Sequence, residues 1–140
     1  IMILQPTSPF RSGQTLVEAM KLIESRNDVD SVIGVSRIDR PARGIFLADE
    51  SGVIQSLHPN DDRTPVYIAN GALFLAKTAA FRDEGSLYAG RIAALAMDDR
   101  QSIDIDTPQD LAAAIALANI GIQPEVELAP ASRNHDNANR

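Results

Sequence analysis

The sequence predicts an open α/β sheet, and three observations carry that expectation. Short runs of buried-type apolar residues recur along the chain, at Ile1–Leu4, Ser31–Ser36 and Ala93–Met97. Such runs, without polar alternation, suit strands covered on both faces. Between the first two lies a segment with helical periodicity, so strand, loop, helix and strand follow in order and form a right-handed crossover if the strands are parallel. Finally, Ser102-Ile103-Asp104-Ile105-Asp106-Thr107-Pro108-Gln109-Asp110-Leu111 joins an alternating strand to a helix start.

That last stretch organises the reading. In a strand, residues two apart share a face, so Asp104 and Asp106 project together while Ile103 and Ile105 turn the other way. Thr107 suits an N-cap, Pro108 the first helical position, and Asp110 the third position of a capping box. Leu111, Ala114, Ile115 and Leu117-Ala118 continue the helix. Two carboxylates at the C-terminal end of a strand, beside a helix start, stand where an open α/β sheet holds a metal or ligand. The competing reading is the solvent face of a half-buried strand. A haloacid-dehalogenase type of Asp-x-Asp nucleophile fits poorly, because Pro108 occupies the position where that motif wants Thr or Val.

At the other end of the chain, Ile1–Leu4 reads as a buried central strand already under way, which predicts that the chain is the later part of a larger domain. Gln5-Pro6-Thr7-Ser8-Pro9-Phe10-Arg11-Ser12 follows as a stiff polar loop at the ligand edge of the sheet. Gln5 and the hydroxyls of Thr7 and Ser8 suit hydrogen bonds to a polyhydroxylated ligand, and Arg11 suits a carboxylate or phosphate. A turn with local Ser and Thr caps is the alternative. A helix is predicted from about Gln14 to Ser25, with Leu16, Ala19, Met20 and Ile23 inward.

The middle differs in kind. Ile45-Phe46-Leu47 and Val53-Ile54-Gln55 flank Asp49-Glu50-Ser51-Gly52, which predicts a hairpin with Gly52 at positive φ. Arg37, Arg40 and Arg43 precede it, either an anion site or a solvated loop. Asn60–Pro65 is a polar loop before Val66-Tyr67-Ile68. Asn70-Gly71 then marks a turn or close backbone approach before the strand Ala72–Leu75. A short helix from Lys77 to about Phe81 and the loop Asp83–Tyr88 lead to the strand Ala93–Met97. Residues 1–122 form one domain, and the Pro-, Ala- and Asn-rich segment 123–140 is expected to be a disordered tail.

Composition sets the bounds. The 140 residues carry a net charge of −6, with 44% hydrophobic and 23% charged residues, as in ordinary globular proteins. An acidic balance argues against non-specific nucleic-acid binding and against attraction to anionic membranes. Cysteine is absent, which removes disulfides, thiolate nucleophiles and Cys-ligated zinc. His58 and His135 have no partners at metal-ligand spacing. A cytoplasmic location is the expectation.

Three motifs in order carry a resemblance covering roughly residues 1 to 118: Leu4-Gln5-Pro6-Thr7-Ser8-Pro9-Phe10-Arg11, Tyr67-Ile68-Ala69-Asn70-Gly71-Ala72-Leu73-Phe74, and Ser102-Ile103-Asp104-Ile105-Asp106-Thr107. Together they resemble the acylneuraminate cytidylyltransferases. The resemblance implies a Rossmann-like nucleotidyltransferase fold with a mostly parallel sheet and a small β excursion, within Arg37–Pro65, that helps form a homodimer. It implies transfer of a cytidylyl group from CTP to the anomeric hydroxyl of an acidic nine-carbon sugar, with Mg²⁺ held by Asp104 and Asp106. Gln5, Thr7, Ser8, Arg11, Tyr67 and Asn70 are then substrate-binding residues, and Phe74, Leu87 and Tyr88 wall the acyl group. The sequence departs from the family in having no glycine-rich nucleotide loop, Arg63 out of register, Ile68 where a basic residue can hold the sugar carboxylate, and Leu87 in place of an aromatic. Two other readings stand beside it: a cytidylyltransferase for the eight-carbon sugar acid of lipopolysaccharide, and a non-catalytic remnant or interaction module.

Overall fold

A computed structural model describes residues 1–58 and 63–120. Expectations for the loop residues 60–62, for His135 and for the tail therefore lie outside the described residues. The elements are β1 (Met2–Ile3), α1 (Gly13–Ser25), β2 (Ser31–Ile38), a 3₁₀ turn (Ala42–Gly44), β3 (Phe46–Ala48), β4 (Ile54–Ser56), β5 (Val66–Ala76), α2 (Thr78–Glu84), β6 (Ile92–Ala96) and α3 (Pro108–Asn119). The chain is α/β, as its sequence predicts.

The main sheet has the order β1-β5-β2-β6. β2 and β6 pair in parallel, whereas β5 is antiparallel to both β1 and β2. Three strands thus run one way with β5 reversed between two of them. The β1–α1–β2 connection passes over β5 and does not join sheet neighbours. β1 is correspondingly an edge strand, not the central one its apolar run suggests, and Ile1 and Ile3 are both exposed.

β2 is the buried centre, with every residue from Ser31 to Val35 out of solvent. On one face Val32, Leu73, Leu75 and Ala93 pack with Val29 and with Ala19 of α1, and Leu16, Leu22 and Ile23 join them. Full burial of a side chain such as Leu73 is worth about 1.5–3 kcal/mol. Met20, expected inside, is instead exposed. The inward stripe is centred on Thr15, Ala19 and Leu22, a spacing of four and then three, and Met20 lies about 100° round the helix from Ala19. On the opposite face Ile33, Val35 and Phe74 form a second cluster with Leu87 against it.

The hairpin forms where it is expected. Phe46 pairs with Ser56 and Ala48 with Ile54, and Gly52 takes φ 83°. Asp49 Oδ1 accepts from Ser51 N, Ser51 Oγ and Val53 N at 2.9, 2.6 and 3.1 Å, closing the turn and holding the carboxyl below the usual aspartate range.

Two expectations about strands are corrected. Val66–Ile68 and Ala72–Leu75 are not separate strands, because β5 runs through Asn70-Gly71 without a break. The register is what yields: Ile33 pairs with Phe74 and Val35 with Ala69, so residues 70–73 all stand opposite Gly34. This is a large irregular bulge, four residues against one, that takes Asn70 and Gly71 out of the ladder. Secondly, Ser102–Ile105 is not a strand of the sheet. It is a connection from β6 to α3, docked by one backbone bond from Ile105 N to Thr7 O at 2.9 Å. α3 begins at Pro108 with the predicted capping box, but Leu111 and Ile115 are exposed and Ala114 is its one buried residue.

Candidate active-site corner

The bulge of β5, the loop after β1 and the connection before α3 meet at one corner. Gly71 is its pivot. With φ 75°, it adopts the left-handed conformation that side chains resist, and a Cβ there would lie 2.5 Å from Gln5 Oε1 and 2.6 Å from Asp104 Oδ2. The missing side chain is the space in which the Gln5 amide and the Asp104 carboxylate approach each other. Candidates 99 positions apart in the sequence therefore share one site.

Asn70 fastens the corner from below. Only 7% exposed, it donates from Nδ2 to Ser102 Oγ at 2.9 Å and accepts at Oδ1 from Ala72 N at 3.2 Å. Its amide thus ties the bulge to the Asp104 segment. From the other side, Gln101 Oε1 accepts from Ser12 N at 3.3 Å and from the Thr15 hydroxyl, and Gln101 donates from N and Nε2 to Asp98 at 2.8 and 3.1 Å. Those bonds hold the Asp98 carboxyl below its ordinary range. Asp110 Oδ2 accepts from Thr107 N, Thr107 Oγ1 and Asp106 N at 2.8, 2.7 and 3.2 Å, which fixes the backbone on which Asp106 sits.

Polar atoms at this corner are also left without protein partners. Ser8 Oγ and Asp104 Oδ1 are buried with no hydrogen bond among the described residues. A buried carboxylate oxygen without a partner is costly, so the position invites a cation or a ligand donor. Asp106, two residues on, is exposed. No cluster of three or more His, Cys, Asp or Glu stands among the described residues. Carboxylate oxygens are hard donors that suit a cation keeping most of its water, as Mg²⁺ does. Because Ser102–Ile105 is not a strand, the alternation that would put Asp104 and Asp106 on one face does not apply, and no contact among the described residues joins the two carboxylates.

The remaining candidates divide. Phe74 and Tyr88 meet edge to face, with ring centroids 5.8 Å apart, and Leu87 packs on the Phe74 cluster, so these three come together. Thr7 gives its carbonyl to Ile105 N. Arg11 turns one edge of its guanidinium inward, where Nη1 donates to three backbone carbonyls. Tyr67 stands opposite Arg37 on the far half of β5, and no described hydrogen bond or ring contact links it to the corner. Near it, Arg37, Arg40 and Arg63 line an open cavity of about 300 Å³ with Asp39 and Thr64. Gln101 has no signal in the sequence, because a lone loop glutamine looks like any other. Ser102 could have been found as the small polar residue two before Asp104.

The α/β architecture, with a mixed and not mostly parallel sheet, is consistent with a nucleotidyltransferase-like fold. The chain is 32% identical over 77% of its length to an N-acylneuraminate cytidylyltransferase of Streptococcus agalactiae serotype V, covering 27% of that protein. It is 27% identical over 99% of its length to the enzyme of that name from Escherichia coli O18:K1:H7, covering 34% of it. It is 30% identical over 80% of its length to a CMP-N,N'-diacetyllegionaminic acid synthase of Legionella pneumophila, covering 50% of it. No protein-family model matches. Over most of its length the chain is similar to acylneuraminate-type cytidylyltransferases. It spans between about a quarter and a half of the length of these relatives. No helix among the described residues is long and apolar enough to cross a membrane.

Proposed function

We propose that this chain carries the sugar-acid and metal-binding part of a cytidylyltransferase site. The reaction joins the anomeric oxygen of an acidic nine-carbon sugar to the α-phosphorus of CTP. The bond to the β-phosphate oxygen breaks, pyrophosphate leaves, and the hydroxyl proton passes to a carboxylate or to solvent. The observation that carries this reading is Asp104 Oδ1, buried without a partner in a corner shared with Gln5. The names of the relatives support the same chemistry.

Asp104 and Asp106 are the residues that would hold Mg²⁺. When bound, that ion neutralises phosphate charge and lowers the pKa of the attacking hydroxyl. The protein's own part is placement, which dominates phosphoryl-type transfer. Gln5 presents its amide to the sugar. Ser8 offers an unpartnered hydroxyl in the same loop. Asn70, committed to Ser102 and Ala72, holds the Asp104 segment in register with the bulge. Phe74, Leu87 and Tyr88 provide an apolar wall for an acyl substituent.

The working unit in this proposal is a homodimer. Phe46, Leu47, Val53 and Ile54 on the hairpin are all more than half exposed, and Ile68 of β5 is 58% exposed. An apolar surface of that kind favours a covering partner, here a second copy.

The test is pyrophosphate release from CTP by the polypeptide its gene encodes, with N-acetylneuraminic or legionaminic acid as acceptor. Release that requires the sugar acid and stops with chelation of Mg²⁺ is expected. Absence of release with either acid would favour the remnant reading.

A further inference from the structure

Arg11 lies between the loop after β1 and the N-cap of α1, Ser12. Its Nη1 donates to Gln5 O at 2.6 Å, Ser8 O at 2.9 Å and Ala72 O at 3.3 Å. The first and last of these flank the critical contact. Gln5 is the residue whose amide reaches over Gly71, and Ala72 follows Gly71 directly. One charged nitrogen thus grips the backbone on both sides of the gap in which Gln5 and Asp104 approach. Charge-assisted bonds from a planar guanidinium are stronger and more directional than neutral ones. A substrate carboxylate seeking that nitrogen would have to displace the carbonyls it already serves, which leaves Nη2 and Nε as the only nitrogens for a direct ion pair, the role the experiment below distinguishes from positioning.

We infer that Arg11 is a positioning residue that sets the Gln5–Gly71–Asp104 corner through its backbone and does not pair with the acidic group of the substrate. The inference rests on the proposed reading of that corner as the sugar-acid site. It separates two roles that a motif arginine can play, because a direct ion pair senses the ligand's charge and a positioning residue does not.

The experiment compares the wild type with Arg11→Ala, titrating each with N-acetylneuraminic acid and with its uncharged methyl ester. Positioning predicts that the affinity for both ligands falls by the same factor, on the order of tenfold. A loss confined to the acid would overturn it. In the ligand-free protein, amide spectra of Arg11→Ala should show Gly71, Asp104 and Ile105 shifted, and added guanidinium should return them toward wild type. Unmoved signals at those residues would overturn the inference even if neither ligand binds the wild type, an outcome that would count against the proposed function alone. Should Arg11→Ala fail to fold, Arg11→Lys keeps the charge without the planar fork and is read by the same spectra. It is expected to shift the same amides, and a folded Arg11→Lys with those amides unmoved defeats the proposal.

Discussion

The corner and the hairpin are built on opposite plans. At the corner, bonds join segments that lie far apart in sequence: Asn70 to Ser102, Ser12 to Gln101, Thr7 to Ile105, Arg11 to Ala72. Side chains are drawn in until a carboxylate oxygen is buried without a partner. In the hairpin the turn's bonds are local, from Asp49 to residues two and four further on, and its apolar side chains face outward. One region holds a carboxylate oxygen without a protein partner, at a cost in folding free energy. The other holds its own backbone and leaves a surface for something to cover. This contrast says where substitution should damage chemistry and where it should damage association.

The largest expected effect tests the corner's unpartnered oxygen. Asp104→Asn should lower turnover on the order of 10³-fold, because a neutral amide cannot replace a hard anionic ligand. In the metal-free protein the same variant should melt close to wild type, since Asp104 Oδ1 has no hydrogen bond among the described residues to lose. Calorimetry without divalent ions and a pyrophosphate assay with Mg²⁺ measure the two halves. A variant that lost stability and kept activity would reverse the reading of this oxygen.

Next come two glycines, one in each region, both at positive φ. Gly71→Ala must bear left-handed strain of about 1–3 kcal/mol and also push its Cβ into Gln5 and Asp104. Gly52→Ala bears similar strain at φ 83° but meets nothing within 4 Å. Both should melt earlier, while only Gly71→Ala should lose most of its activity. Equal loss of activity in the two would mean that the corner tolerates no general destabilisation, and the contrast would fail.

These differences also explain what could be read from the sequence. Periodicity located α1, β2, the hairpin and α3, because those elements are set by local propensity, turn chemistry and capping. The capping box of Thr107 and Asp110 was legible for the same reason. Gln5, Asn70 and Asp104 were legible as motif residues, yet their meeting was not. It depends on a bulge that places residues 70–73 opposite Gly34, a register decided by tertiary pairing. The Asp104 segment looked like a strand because alternation is also what a docked loop shows when one side faces protein. Met20 misled because one apolar residue beside a stripe looks like part of it. Arg11 was read by its charge, whereas its position is decided by three carbonyls that carry no side-chain signal.

On the hairpin, a charge placed in the exposed apolar surface should act on association. Leu47→Glu and Ile54→Lys alter side chains that are 63% and 60% exposed, so the folded protomer loses little packing. Each should weaken self-association by at least about tenfold, seen as a shift toward monomer in light scattering over a dilution series. Unchanged assembly in both variants would remove the hairpin from the interface. Assembly lost together with the Gly71 and Asp104 amide positions would show that the two regions are coupled and not separate in plan.

The smallest effect concerns the helix that follows the corner. Thr107→Ala removes the α3 cap and should cost about 1 kcal/mol, with a modest loss of turnover because Asp106 shares that backbone. The bonded partner Asp110 supplies a pH signature. Hydrogen bonds from the Thr107 hydroxyl and backbone lower its pKa from the ordinary 3.8. For a carboxyl with a lowered folded-state pKa, the stabilisation is complete above the unfolded value and disappears as pH falls through the folded one. Melting temperatures of the wild type should therefore fall on acidification through and below the usual aspartate range, and Asp98, lowered by Gln101, adds the same sign. In Asp110→Asn that acid limb should be shallower while the hairpin's association is untouched. An acid limb as steep in Asp110→Asn as in wild type would place the pH dependence elsewhere. Asp49, whose carboxyl is lowered in the same sense by the hairpin turn, is the alternative source. The comparison of Asp110→Asn with Asp49→Asn thus assigns the acid sensitivity to the corner's helix or to the hairpin.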